Sequence, residues 1–351
     1  MNKINYSKFI IYLSLFFILS TNNLFAIECK SVDVHIENKY FNVTYIKAKL
    51  NKIKIKVGLA KGLVGQTESL SGIAKRYKAV AAINGCFFDA YTKSTIKNPH
   101  HTLITDSQFV HIGNVGTTLG FDKNNNYKME RVIFKIDGGR NNSYKYPDHW
   151  YAYWLNRLTE SKTVTIFTKY WGKKINMPNS TQISVSNGKV ISINNSFSEI
   201  IPENGYVICI RDIKDSSLSD FAVGQDVEYK IIKKDNTPMD FWDTAVEGIC
   251  AGPRLVTDGK ITVNPAEEGF SHKKILSLSG SRSAVGLTCD GYILFATTNS
   301  TIKELALIMK KLGSYNAMNL DGGASSGLWL KGKYIVEPGR DISNALLLTG
   351  K

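Results

Sequence analysis

Beyond its first two dozen residues the chain has no apolar run approaching the ~20 residues of a membrane-spanning helix, which excludes a helical membrane bundle. Cysteine is sparse. Cys29, Cys86, Cys209, Cys250 and Cys289 are far apart and odd in number, so no disulfide framework can be read, and at least one thiol stays unpaired unless two chains join. The close cysteine pairs of a structural zinc site are also missing. His100 and His101 are adjacent, so in a strand they would face opposite ways and would not share a metal. There is no helix-turn-helix, zinc-finger or RNA-binding signature, which argues against nucleic acid as a partner. Lys47, Lys49, Lys52, Lys54 and Lys56 are interleaved with Leu50, Ile53, Ile55 and Val57, as on a strand with one wet face. Internal repeats and low-complexity linkers are absent.

What is present begins with Lys3 and Lys8, an apolar stretch from Phe9 to Leu19, and polar residues from Ser20 to Asn23. That order predicts a secretory signal peptide over residues 1–26, cut after Ala26; Glu28 before Cys29 does not suit a lipoprotein site. The expected mature chain, 27–351, is one large domain or two intimate subdomains, exported to the periplasm or beyond, with no stable membrane insertion. The formal net charge of +14 falls to +12 without the two leader lysines, a balance that favours anionic substrates or surfaces.

Apolar–polar alternation between turn signals predicts many short antiparallel strands. The clearest hairpins span 183–193 around Asn187-Gly188, 254–263 around Asp258-Gly259, and 283–297 around Asp290-Gly291, where Asn-Gly and Asp-Gly supply positive φ angles. Helices are fewer. Thr301 and Glu304 form a capping-box pattern ahead of Leu305, Ile308, Met309 and Leu312, with Gly313 as the stop. A second helix is expected over about 68–78, burying Leu70, Ile73, Ala74 and Tyr77. The fold class read from this is α+β, mostly antiparallel hairpins with a few packed helices. Each helix leads into an apolar run that ends in a polar Gly-containing loop, at Asn84-Gly85 and at Asp321-Gly322-Gly323. The Tyr- and Trp-rich stretch 141–158 is a candidate aromatic wall for a pocket.

Three stretches carry chemistry. In Asp321-Gly322-Gly323-Ala324-Ser325-Ser326 a carboxylate at a strand end precedes residues with little side chain, where backbone can approach a ligand and N–H groups can form an anion-binding concavity. A tight turn with a capping Asp explains the same residues. In Asn84-Gly85-Cys86-Phe87-Phe88-Asp89, Asn84 could donate to a sugar hydroxyl or phosphate and Asp89 could accept, or the segment is a turn with two core phenylalanines. No histidine in this motif activates Cys86, so it reads as a structural thiol. Arg282 opens a strong strand; its guanidinium fork matches a phosphate, and a surface salt bridge is the ordinary alternative.

Taken in order, with Gly252-Pro253-Arg254-Leu255 before Arg282 and Ile342-Ser343-Asn344-Ala345-Leu346 near the end, these motifs resemble the phosphodiester glycosidase family from about Ala79 onward, most specifically from Gly252. The resemblance implies an exported hydrolase that cleaves the glycosidic bond of a sugar-1-phosphodiester, such as an N-acetylhexosamine-1-phosphate diester, in an envelope or extracellular glycan. It implies Asp321, Arg282 and Glu268 as catalytic residues, with Asn84, Gly85, Gly322, Gly323, Ser325 and Ser326 around the substrate, where the reading of the residues themselves adds Asp89. No cofactor is required, and a calcium ion in the acidic pocket is the one metal left open. The alternative class is a non-catalytic envelope module that binds anionic glycans. Two departures stand out: the short loop Thr297-Thr298-Asn299-Ser300, and Cys86 where a smaller residue is expected.

Overall fold

The computed structural model describes residues 27–158, 162–195, 197–213 and 218–351; the expected signal peptide lies outside them. Nearly every strand pairing is antiparallel. Among the described residues the exception is a two-residue parallel pairing of Trp154–Leu155 with Thr163–Thr168. The chain is predominantly β, with helices a smaller part than the α+β expectation suggested, because hairpin turns recur where helical stripes would have to be.

A seven-stranded sheet runs in the order Ile27–Ile36, Lys39–Lys49, Tyr292–Ser300, Gly280–Leu287, Asn316–Asn319, Arg254–Thr257, Lys260–Ile261. A five-stranded sheet places Ala79–Asn84 between Leu328–Leu330 and the strand Asn344–Gly350, which in turn pairs with Ile53–Leu59. A second five-stranded sheet holds Ala245–Ala251 between Leu103–Thr105 and Thr117–Asp122. Ile46, Ile55, Ile83, Leu119, Val285, Phe295 and Leu346 from all three sheets share one buried core. The remaining strands, within 131–245, surround another core containing Phe134, Trp150, Ile166, Ile208 and Trp242.

The helix Ile302–Lys311 carries the expected capping box, Thr301 receiving the Glu304 N–H while Glu304 accepts the Thr301 N–H. Its buried Leu305, Ile308 and Met309 cover Val43, Ala284 and Ala296, each such side chain contributing roughly 1.5–3 kcal/mol. The other expected helix spans Leu70–Arg76, capped by Ser69. It begins later than predicted because Glu68 is engaged outside it, accepting from the Lys61 N–H and pairing with Arg76. The lysine-rich segment is two strands, not one: the single turn Leu50–Lys52 separates them and sends them to different sheets, although the alternation of wet and buried residues persists. Asn187-Gly188 and Asp258-Gly259 both take positive φ as expected. At the third hairpin only Gly291 does; Gly291 donates to the Thr288 carbonyl, so Cys289 and Asp290 form an ordinary turn and the glycine alone absorbs the left-handed step. All five cysteines are free. Among the described residues no helix is long and apolar enough to cross a membrane.

Candidate active site

Two strands from different sheets end side by side. Past Asn316–Asn319 the chain reaches Asp321, whose N–H donates to the Gly85 carbonyl at 3.0 Å. The Asn84 amide donates to the Asp321 carbonyl at 2.7 Å and accepts from the Ser283 hydroxyl at 2.7 Å and the Gly327 N–H at 3.1 Å. Asn84 is buried, and these bonds make it a clip between three chain segments, with its oxygen turned to protein and not toward a ligand. Gly85 is a required glycine: a Cβ there would overlap the Asn344 side-chain oxygen. Asn344 accepts from the Cys86 N–H and donates to the Cys86 sulfur at 3.2 Å, and burial pushes that thiol far up, so it stays protonated and unreactive.

Asp321 is half-buried at the head of the turn. Burial pushes its carboxyl up to about 6, against the opposing pull of the Ser325 hydroxyl, the Gly322 N–H at 2.8 Å, and the cationic fields of Arg340 and His100. The Ser325 and Ser326 N–H groups donate to the Gly322 and Gly323 carbonyls. The expected concavity of free N–H groups is therefore partly closed by its own turn. The Ser326 hydroxyl is buried without a partner. A Cβ at Gly322 would sit 2.7 Å from the Ser281 carbonyl and 3.8 Å from Arg282 Cδ, so the missing side chain is what lets the Asp321 turn lie against Arg282.

Arg282 is buried, which excludes the exposed salt bridge. Its Nε donates to the Ser300 carbonyl at 3.1 Å, and its Nη2 donates to the Lys274 and Leu278 carbonyls at 2.6 Å each. A cation is thus held by neutral acceptors.

Glu268 is tied to protein through both of its oxygens. One oxygen accepts from the Thr117 hydroxyl at 2.7 Å and the other from the Arg254 N–H at 2.6 Å; burial raises its pKa, and a Cβ at Gly252 would be 3.0 Å from it. Each oxygen accepts one of these bonds, so Glu268 braces the Gly252–Arg254 turn and keeps further acceptor capacity. Within the stretch 141–158 the aromatic residues divide: Tyr146 and Tyr153 are exposed, and Trp150 turns inward. Trp150 is fully buried in the second core, its indole N–H donating to the Gly139 carbonyl, because its ring fills the space left by Gly138.

The structure adds neighbours to Asp89 and gives His100 and His101 surroundings that their spacing did not indicate. His100 Nε2 lies 2.6 Å from Asp89 Oδ1, and Asn98 holds the other Asp89 oxygen at 3.3 Å. Arg340 donates to the Tyr91 hydroxyl at 2.8 Å, and Lys274 lies over the same ring. His101, one residue on, is buried against Phe87 and Phe270, and burial drives it down to about 3 and hence neutral. Among the described residues no three His, Cys, Asp or Glu side chains gather into a metal-holding group.

Residues 179–349 match the phosphodiester glycosidase family model, so the likeness read from the sequence is found again over a segment that holds Glu268, Arg282 and the 321–326 run; Asn84 to Asp89 precede it. The comparison with curated proteins gives no match. Among solved structures the chain is similar to a hypothetical protein from Synechocystis, with 22% identity and a TM-score of 0.80 over 93% of this chain. It spans only 62% of that protein's length. It is similar to a protein from Burkholderia pseudomallei K96243 inferred to be exported, with 19% identity and a TM-score of 0.71 over 88% of this chain and 74% of that one. It is also similar to the zebrafish N-acetylglucosamine-1-phosphodiester alpha-N-acetylglucosaminidase catalytic domain, auto-inhibited by its pro-peptide, with 14% identity and a TM-score of 0.53 over 95% of this chain and 85% of that one. At these identities the likenesses show a shared fold.

Proposed function

We propose that the protein is an exported hydrolase of sugar-1-phosphodiesters that breaks the bond between the anomeric carbon and the phosphate oxygen. The observation that carries this reading is Asp321, a carboxyl raised to about 6 at a glycine turn, with Arg340 and His100 acting on it and the buried Arg282 behind the adjoining glycine. An anionic glycoside needs both signs of charge: cations for its phosphate, and a carboxylate for the carbon that becomes electron-poor as the bond breaks.

Asp321 acts on the anomeric carbon, directly or by taking a proton from a water, and a pKa near 6 leaves it ionised yet basic at neutral pH. The leaving group is a phosphate monoester, stable as an anion, so a strong general acid is not needed. Arg282 is bound to neutral carbonyls, and a phosphate oxygen is a stronger acceptor than any of them, so the arriving anion competes for the guanidinium. His100, oriented by Asp89 and acting on Asp321, is the proton carrier in this reading. The substrate is a glycan of the envelope or extracellular space. Hydrolysis of an N-acetylglucosamine-1-phosphodiester in heavy-oxygen water tests the reaction: label should enter the sugar, and label in the phosphate, or no turnover, would overturn it.

A further inference from the structure

The loop that ends at His100 is held by the region of the other core. Residues 154–158 belong to 131–245, and three side chains tie them to Asn98 and Pro99. The buried Asn98 amide makes a reciprocal pair with the Leu158 backbone, accepting from its N–H at 3.2 Å and donating to its carbonyl at 3.0 Å. His111, fully buried, sets one ring nitrogen 2.7 Å from the Pro99 carbonyl and the other 2.9 Å from the Leu155 carbonyl. The Arg157 guanidinium lies over the Trp154 ring, 4.5 Å from its centre, and donates to the Pro99 carbonyl at 3.4 Å.

These ties converge on Asp89. The Asn98 nitrogen also donates to Asp89 Oδ2 at 3.3 Å, and the Asp89 N–H donates to the Asn98 carbonyl at 3.0 Å. Burial works against the Arg157 charge, and the Asp89 carboxylate is the group whose field favours it. Asn98 thus gives the carboxylate its direction, and Arg157 faces it with the opposite charge. Its other oxygen, Oδ1, meets His100 Nε2 at 2.6 Å. A carboxylate oxygen accepts and does not donate, so in a neutral His100 the proton sits on Nε2 and Nδ1 carries the lone pair. The His100 side chain is 43% exposed, and among the described residues no group is bonded to Nδ1, so a substrate or a water can reach it.

We propose that Asn98 and Arg157 are positioning residues for the proton carrier: they turn Asp89 onto His100 and so fix the imidazole as the Nε2–H form, with Nδ1 as the base. This rests on the function proposed above. It makes the 131–245 region a participant in the chemistry through side chains that touch neither sugar nor phosphate.

The test reads the proton on His100 and the rate separately. Long-range nitrogen–proton NMR spectra of protein labelled at its histidine nitrogens, in buffer alkaline enough to leave imidazoles neutral, give the two ring forms; His100→Gln assigns the signals. In the wild type the Nδ1–H form of His100 should stay below about a twentieth, and Asn98→Ala and Arg157→Gln should each raise it above about a tenth, the mixture of an unheld ring. On an N-acetylglucosamine-1-phosphodiester the same variants should lower kcat about tenfold and change KM less than about twofold, as expected for a group that acts through the proton carrier and not on binding. Arg157→Lys, which keeps the charge, should keep both the Nε2–H form and the rate. Wild-type spectra in both variants, a rate loss without a change of ring form, or an Arg157→Lys variant as impaired as Arg157→Gln would overturn the proposal. Should Asn98→Ala fail to fold, the two Arg157 variants decide. If the wild type hydrolyses no ester, the reaction assignment fails, and the spectra still show whether Asn98 and Arg157 set the ring.

Discussion

The two cores of the molecule both bury polar groups and hold them differently. The core shared by the three sheets of 27–130 and 245–350 ends in buried polar side chains, Asn84, Asn344, Ser283 and Arg282, each tied to another segment, and the site stands on those ties. The core of 131–245 is filled by large rings, with Phe134 edge-on to Trp242 and Trp150 edge-on to Phe221. Both regions bury an arginine, but Arg282 is gripped by three carbonyls from neighbouring segments, whereas Arg140 lies over the Phe221 ring with a single side-chain hydrogen bond, to the Pro147 carbonyl; the contrast teaches that polar ties shape the first region and ring packing the second.

The largest effect that would sharpen this contrast is expected at Asp321. Asp321→Asn should abolish at least 99.9% of turnover, on the order of 4 kcal/mol of transition-state stabilisation. Because the folded pKa is raised, the wild-type carboxyl costs stability once ionised: full stability is present below about 4 and is lost as pH rises through about 6. The melting temperature of Asp321→Asn relative to wild type should therefore be higher at pH 7.5 than at pH 4, measured by calorimetry. A pH-independent difference would show the carboxyl to be an ordinary surface group.

Arg282→Lys keeps the charge and loses the fork. Turnover should fall by two to three orders of magnitude, about 2–4 kcal/mol, and the melting temperature should fall too, since the bonds to Ser300, Lys274 and Leu278 cannot all be remade. Wild-type turnover in a destabilised variant would confine Arg282 to scaffolding. His100→Gln should slow turnover about a hundredfold with little change in melting temperature, as expected for a half-exposed proton carrier; an unchanged rate would remove it from the chemistry. Trp150→Ala gives the smallest expected effect on rate and a large one on stability, a loss of roughly 3–5 kcal/mol with turnover per folded molecule within about twofold of wild type. A collapse of turnover there would dissolve the contrast between the two regions.

Local features were legible in the sequence because their causes are local. The Thr301–Glu304 box, the stripe over Leu305 to Met309 and the Asn187-Gly188 turn each need only neighbouring residues. Asn84 and Asp321 were legible as motifs, and their meeting is observed, but the direction of the Asn84 oxygen was not, because Ser283 and Gly327 approach from other strands. Arg282 binds backbone carbonyls, which carry no residue signature. Arg340 reaches Tyr91 across 249 positions, and no periodicity could suggest that. Aromatic density in 141–158 could not tell the buried Trp150 from the exposed Tyr146 and Tyr153, because a ring bound for a core and a ring bound for a surface are written with the same letters.

The clip at Asn84 also bears on the order in which the molecule is built. The two groups it joins are 237 positions apart, and the strand it terminates lies against Asn344–Gly350, almost the last residues of the chain. Closing so long a loop is slow compared with closing a hairpin of 131–245. A growing or C-terminally shortened chain can thus form much of its sheet structure while its pocket does not yet exist, and the catalytic centre is among the last features to come into being.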